Sequence, residues 1–121
     1  MGLLVFTTGC SKKSSTPSLN GTTWKGTFTD SGGNTDNDLY QENDVITFQQ
    51  NTYTMTSSWT ESGSSGTDIS SGTYTYNNST VSFHETVYDG QPSTDTYIGT
   101  VSGKQMIFSD GNGYSVTFTK Q

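Results

Sequence analysis

From Trp24 onward the chain alternates large apolar residues with threonine or serine, almost one for one. A strand points successive side chains to opposite faces, so a period of two demands sheets with one dry face and one wet face. "WKGTF" sets Trp24, Gly26 and Phe28 on one side, and "VITFQQ" sets Ile46 and Phe48. "YTMTSSW" groups Tyr53, Met55, Ser57 and Trp59, and "GTYTY" groups Gly72, Tyr74 and Tyr76. "VSFHETV" places Val81, Phe83, Glu85 and Val87 together, with Ser82, His84 and Thr86 opposite. "TYIGTV" aligns Tyr97, Gly99 and Val101; "KQMIF" aligns Met106 and Phe108; "YSVTFTK" aligns Tyr114, Val116 and Phe118. Turn signals at Gln50-Asn51, at 77–79, at Ser102-Gly103 and in the "DGNG" of 110–113 punctuate the runs.

A helical alternative has little to build on. The leucines are Leu3, Leu4, Leu19 and Leu39, there is no alanine, and β-branched threonine is abundant. The chain is therefore expected to be all-β. About eight short strands, joined mostly by hairpin turns, close most simply into an up-and-down antiparallel β-barrel, which also removes exposed edges. A two-sheet β-sandwich is the alternative. Two stretches read as long loops: "DSGGNTDNDLYQEND" after the first strand and "ESGSSGTDISS" between the third and fourth.

Only 27% of residues are hydrophobic, a level that in a highly charged chain signals disorder. Here only 13% are charged, so the polarity comes from residues a sheet can carry on its wet face. The length fits one domain with a thin core. The net charge is -6, arginine is absent, and the lysines are scattered apart from Lys12-Lys13. No basic stripe exists for a phosphate backbone, which excludes nucleic acid as a partner. No run approaches the roughly 18 apolar residues of a membrane-spanning helix.

The start, "MGLLVFTTGCSKKSSTPS", holds the single cysteine, so Cys10 cannot form an internal disulfide. A short apolar run, small residues, Gly-Cys and a polar tether resemble the end of a bacterial lipoprotein signal peptide. Thr8-Gly9-Cys10 match its last three positions, while Thr7 stands where leucine is usual and the basic leader is missing, as in a truncated start. The resemblance implies that residues 1–9 are the remnant of a signal peptide. Residues 10–18 are then a lipidated Cys10 and its flexible tether, and residues 19–121 the folded domain. The tether carries Lys12 and Lys13 and no acid. Without the acidic export signal of some surface lipoproteins, the expected place is the outer membrane, lipid-anchored and facing the periplasm. The N-myristoylation pattern fails at Phe6.

The folded part is similar to the lipocalin-like domains of small bacterial lipoproteins. "LNGTTWKGTF", "VITFQQNTYTM", "SGTYTYNNSTVSF", "YIGTVSGKQMIF" and "YSVTFTKQ" carry the likeness. Lipocalins have a Gly-x-Trp in the first strand whose Trp closes the barrel floor; Trp24 takes that place, one residue further from Gly21. "LNGTTW" also resembles the opening of the heat-shock META family, whose later cysteine is missing here. The lipocalin likeness implies a barrel, no enzyme activity and an apolar ligand in the cup.

Glu85 shares the inward parity of Val81 and Phe83. A buried carboxylate costs several kcal/mol unless paired, so it reads as an anchor for a ligand, as a group in water at the rim, or as the partner of a hydroxyl such as Tyr74 or Tyr97. The candidate lining is Trp24, Tyr53, Trp59, Tyr74, Glu85 and Tyr97. His84 falls on the outward parity and has no partner at metal-ligand or triad spacing. Asp30, Asn34, Asp36, Asp38, Glu42 and Asp44 imitate part of a calcium loop, but Leu39 replaces its glycine and Val45 its last acid, leaving a solvated acidic loop. No nucleophile–base pair, metal cluster or phosphate loop points to catalysis, and no cofactor is implied. The expected function is an envelope-anchored, monomeric binding protein for a small apolar or amphipathic ligand. The alternative is a protease- or lysozyme-inhibitor type of interaction module with a filled core and the acidic loop as its contact.

Overall fold

Nine strands carry the alternation in the computed structural model, which describes residues 18–30 and 39–121. They are β1 (Thr23–Asp30), β2 (Tyr40–Phe48), β3 (Thr52–Glu61), β4 (Ser64–Asn77), β5 (Thr80–Tyr88), β6 (Gln91–Pro92), β7 (Thr96–Ser102), β8 (Gln105–Ser109) and β9 (Ser115–Lys120). Every pairing is antiparallel, and no helix occurs among the described residues. The sheet runs β4-β3-β2-β1-β9-β8-β7-β5, and β4 pairs with β5 to close it. The result is a closed eight-stranded up-and-down barrel, with two-residue β6 as a flap on the end of β5.

Parts of both stretches expected to be loops are strand: Tyr40 to Asp44 of the first, and Ser64 to Ser71 of the second. β2 begins at Tyr40 and pairs with β1 without a slip from Asp30↔Tyr40 to Thr23↔Thr47. β4 begins at Ser64, because Ser62 (φ 51°) and Gly63 (φ 83°) make a two-residue turn. Positive φ at both central positions matches the twist of a tight hairpin. The expectation failed because the inward residues there, Tyr40, Glu42 and Asp44 on β2 and Gly66, Asp68 and Ser70 on β4, include few apolar side chains.

One end of the barrel is solid. Phe83 is its hub, with ring centroids 4.9 Å from Tyr53, 5.8 Å from Phe48 and 5.2 Å from Phe108. Val81, Met106, Ile46 and Phe118 are fully buried around it. Trp24, 1% exposed, closes this floor. Its indole Nε1 donates to Thr22 Oγ1 at 2.9 Å, and that hydroxyl donates to the Leu19 carbonyl at 2.6 Å. Gly21 N–H donates to Phe48 O, and Phe48 N–H to Thr22 O. The entering segment is thus stapled across the floor over buried Leu19.

β5 departs from simple alternation. Gly72 pairs with Glu85 but Ser71 pairs with Val87, so Thr86 is the extra residue of a bulge. Gly72 permits it: a Cβ there would lie 2.0 Å from the His84 carbonyl oxygen. The bulge reverses the parity of the residues after it. Val87, expected to face inward with Glu85, instead lies outside and exposed, and Tyr88 turns toward the barrel mouth.

Candidate functional site

Above the packed floor the barrel opens into a cup of about 210 Å³. Its wall is built from the ends of strands: Tyr40 and Glu42 from β2, Met55 and Ser57 from β3, Asp68 from β4, Glu85 and Tyr88 from β5, and Tyr97 from β7. Phe108 of β8, followed by Asp110 and Tyr114 in the β8–β9 turn, completes it. No lysine lines the cup. A larger depression, about 500 Å³, lies on the outer wall over Lys25, Thr27, Asn43, Val45, Thr117 and Thr119.

Tyrosine and serine hydroxyls hold the carboxylates. Tyr40 Oη donates to Glu42 Oε1 at 2.9 Å. Tyr114 Oη lies 3.0 Å from Glu42 Oε2 and 3.2 Å from Asp44 Oδ2, sharing its proton between them. Ser93, in the segment after β6, donates to Glu85 Oε1 at 2.6 Å. Tyr88 Oη donates to Asp68 Oδ2 at 3.0 Å. Asp110 Oδ1 takes the backbone N–H groups of Asn112 and Tyr114, which fixes the turn that presents Tyr114.

Glu42 and Asp44 occupy successive inward positions of one strand, so two carboxyl groups are crowded into one dry site. Burial, with the Glu42 hydrogen bond and charge behind it, pushes Asp44 up from 3.8 to about 7. Burial also works to raise Glu42, but the hydrogen bonds from Asp44, Tyr40, Tyr114 and Ser57 outweigh it and hold Glu42 below the usual carboxylate range. The pair therefore keeps one proton near neutrality, resting on Asp44. Burial and then the charge of Asp44 raise Tyr114, and burial and then the Glu42 bond raise Tyr40, so both phenols stay donors. Tyr97 is pushed up to about 12 by burial and then by the charge of Glu85. Among the described residues, three buried polar atoms lack a partner: Asp44 Oδ1, Tyr53 Oη and Ser70 Oγ.

Of the residues singled out in the sequence, Glu85 and Tyr97 line the cup. Glu85 points inward, as its parity implies, and its hydroxyl partner is Ser93; Tyr74 donates instead to the Gln49 and Gln50 carbonyls. Trp24, Tyr53 and Tyr74 belong to the floor. Trp59 stands beside the rim, stacked 6.4 Å from Tyr40, its indole filling the space a side chain at Gly66 would need. Cys10, Asn34, Asp36 and Asp38 lie outside the described residues. The solvated-loop expectation is corrected for Glu42 and Asp44, which are 8% and 1% exposed inside the barrel. His84 is exposed on the outer face, and no described group of three His, Cys, Asp or Glu is arranged to hold a metal. Sequence reasoning missed Tyr40, Glu42, Asp68, Tyr88 and Asp110 as wall residues. The signal available was parity: Tyr40, Glu42 and Asp44 continue the inward face of Ile46 and Phe48.

A family model described as a lipocalin-like domain matches residues 19–108. The chain belongs to the lipocalin-like domain family. No curated protein and no solved structure matches it. A barrel of eight strands is just wide enough to be filled by side chains or to hold one small ligand. This lipocalin-like barrel divides its length between the two, with a solid floor below Phe83 and a polar cup above Phe108. The barrel is thus of the type of fold that the lipocalin-like family suggests for ligand binding.

Proposed function

We propose that this chain is a non-catalytic binding protein that takes one small amphipathic molecule into the cup of its lipocalin-like barrel. It would act as a monomer, held by a lipid on Cys10 at the periplasmic face of the bacterial outer membrane. The observation that carries the binding reading is the cup itself: a concave inner site with a few convergent polar groups above a rigid floor, the usual makeup of small-molecule sites. The inhibitor reading calls for a filled core throughout, and the cup favours ligand binding over it.

The test is thermal melting of the full chain against cationic, neutral and anionic small molecules. A ligand at a hundred times its Kd stabilises the native state by about 2.7 kcal/mol, which a melt resolves readily. Saturable stabilisation by one class supports the reading. No stabilisation by any class, with capture of a periplasmic protease or lysozyme, would replace it by the inhibitor reading. Anchoring is tested separately: Cys10→Ser should release the protein from the membrane fraction and remove the acyl mass from its N-terminus.

A further inference from the structure

We propose that the cup selects a small organic cation, a primary amine whose ammonium group is held by carboxylates of the wall and whose carbon chain lies against its aromatic rings. The inference rests on the reading of the cup as a ligand site and names the class of ligand.

The first ground is the sign of the wall. Glu42, Asp68, Glu85 and Asp110 line a cup of about 210 Å³, and no cationic side chain is among its lining residues. Carboxylates in a cleft with low-dielectric walls focus their field on its interior. An anionic ligand, such as a fatty acid, would meet that field with the wrong sign. A wholly apolar ligand would strip water from these groups and return no hydrogen bond. A cation gains from the same field.

The second ground is independent of charge count. Asp44, 1% exposed, lies on the same inward face of β2 as Glu42, and its Oδ1 has no partner among the described residues. Its Oδ2 is met by Tyr114, a wall residue. Asp44 does not itself line the cup, and it keeps its proton beside Glu42, so its open oxygen is an acceptor that an N–H group reaching in past Glu42 and Tyr114 would meet.

The third ground separates an amine from a metal ion. Calcium asks for six to eight oxygens converging at about 2.3–2.6 Å. Here hydroxyls already occupy both Glu42 oxygens, Glu85 Oε1 and Asp68 Oδ2, and no metal-holding group of three exists among the described residues. The remaining acceptor capacity suits N–H donors, which bond at about 2.7–2.9 Å to carboxylates. Rings of Tyr40, Tyr97 and Tyr114 stand in the same wall, and an ammonium over such a face gains a cation–π attraction. Phe108 and Met55 provide apolar contact for methylenes. At the roughly 30 Å³ that one water takes in the liquid, the cup has room for about half a dozen heavy atoms. Glu42 on β2 and Glu85 on β5 are separated by two strands in the sheet order, so they approach from different arcs of the wall. A short diamine can engage both.

The test is calorimetric titration of the full chain at low salt with 1,4-diaminobutane, butylamine, 1,4-butanediol, dodecanoate and calcium chloride. The expected order is diaminobutane first, butylamine weaker, and no heat from butanediol. Glu85→Gln, which keeps an acceptor for Ser93, and Asp110→Asn at the rim should each weaken diaminobutane roughly tenfold or more, while Lys25→Gln on the outer wall should not. Two site variants guard against one that fails to fold. Raised salt should weaken binding further. If anionic dodecanoate or neutral butanediol binds and the amines do not, the cation inference is overturned while the binding reading stands. If calcium binds in preference to the diamine, or both variants bind diaminobutane as the parent does, the inference is likewise overturned. If no probe binds, both fall.

Discussion

Replacing Asp44 by asparagine should make the protein more stable at pH 8 and flatten its stability between pH 5 and pH 7. The reason is the proton that Asp44 keeps in the folded state. Its pKa stands at about 7 in the barrel against an ordinary 3.8. Between those values the unfolded chain ionises at this position while the native state stays protonated. The native state therefore binds more protons, and stability falls as pH rises through this window, reaching a plateau above about 7. At about 1.36 kcal/mol per unit, the loss from pH 5 to pH 8 is roughly 2–3 kcal/mol. Glu42, held low, contributes the opposite sign, but its contribution is lost only as pH falls through its lowered value. Asparagine keeps the shape, and its amide N–H can donate to Glu42 in place of the shared proton. Urea unfolding followed by tryptophan fluorescence at pH 5, 6, 7 and 8 gives both profiles, and their difference isolates position 44. The expected gain of Asp44→Asn at pH 8 is roughly 2–3 kcal/mol, shrinking toward pH 5. Parallel profiles, or a variant less stable than the parent at pH 8, would refute the shared proton.

Other expectations rest on the packing. Phe83→Ala, at the hub of the floor, should cost about 3–5 kcal/mol, read as a lower urea midpoint at unchanged slope. Gly72→Ala forces a Cβ against the His84 carbonyl, so it should destabilise and disturb the bulge that turns Tyr88 to the cup; loss of the Tyr88–Asp68 bond, seen in the tyrosine hydroxyl and ring signals by NMR, checks it. Thr22→Val leaves the Trp24 indole N–H without its acceptor and should cost about 1–3 kcal/mol in the same unfolding assay. If that variant matches the parent, the staple across the floor is not a source of stability.

The floor was legible in the sequence and the cup largely was not, for one physical cause. Ile46, Phe48, Tyr53, Phe83, Phe108 and Phe118 announce an inward face because water rejects them, and a period-two pattern of such residues fixes strands and their parity. Tyr40, Glu42, Asp44 and Asp68 obey the same period, but they are types that usually face solvent, so their stretch reads as a loop. Glu85 was found because it interrupts an apolar face rather than replacing it. Tyr88 was hidden by the bulge at Thr86, whose only trace in the sequence is a glycine on the neighbouring strand. Local rules fail where inward positions have been given to carboxylates, and that is where the cup lies.

The floor has a directional consequence. The described chain enters the barrel at Ser18 and Leu19, beside the β2–β3 turn at Gln50 and Asn51, on the side away from the mouth. Cys10 precedes Ser18 by eight residues, a reach of at most about 28 Å when fully extended. If Cys10 carries a lipid, as proposed, the chain leads to it from the sealed base and not from the acidic mouth. The proposed anchor and the ligand mouth would then sit at opposite ends of the barrel, so a lipid on Cys10 would leave the cup unobstructed by its own tether.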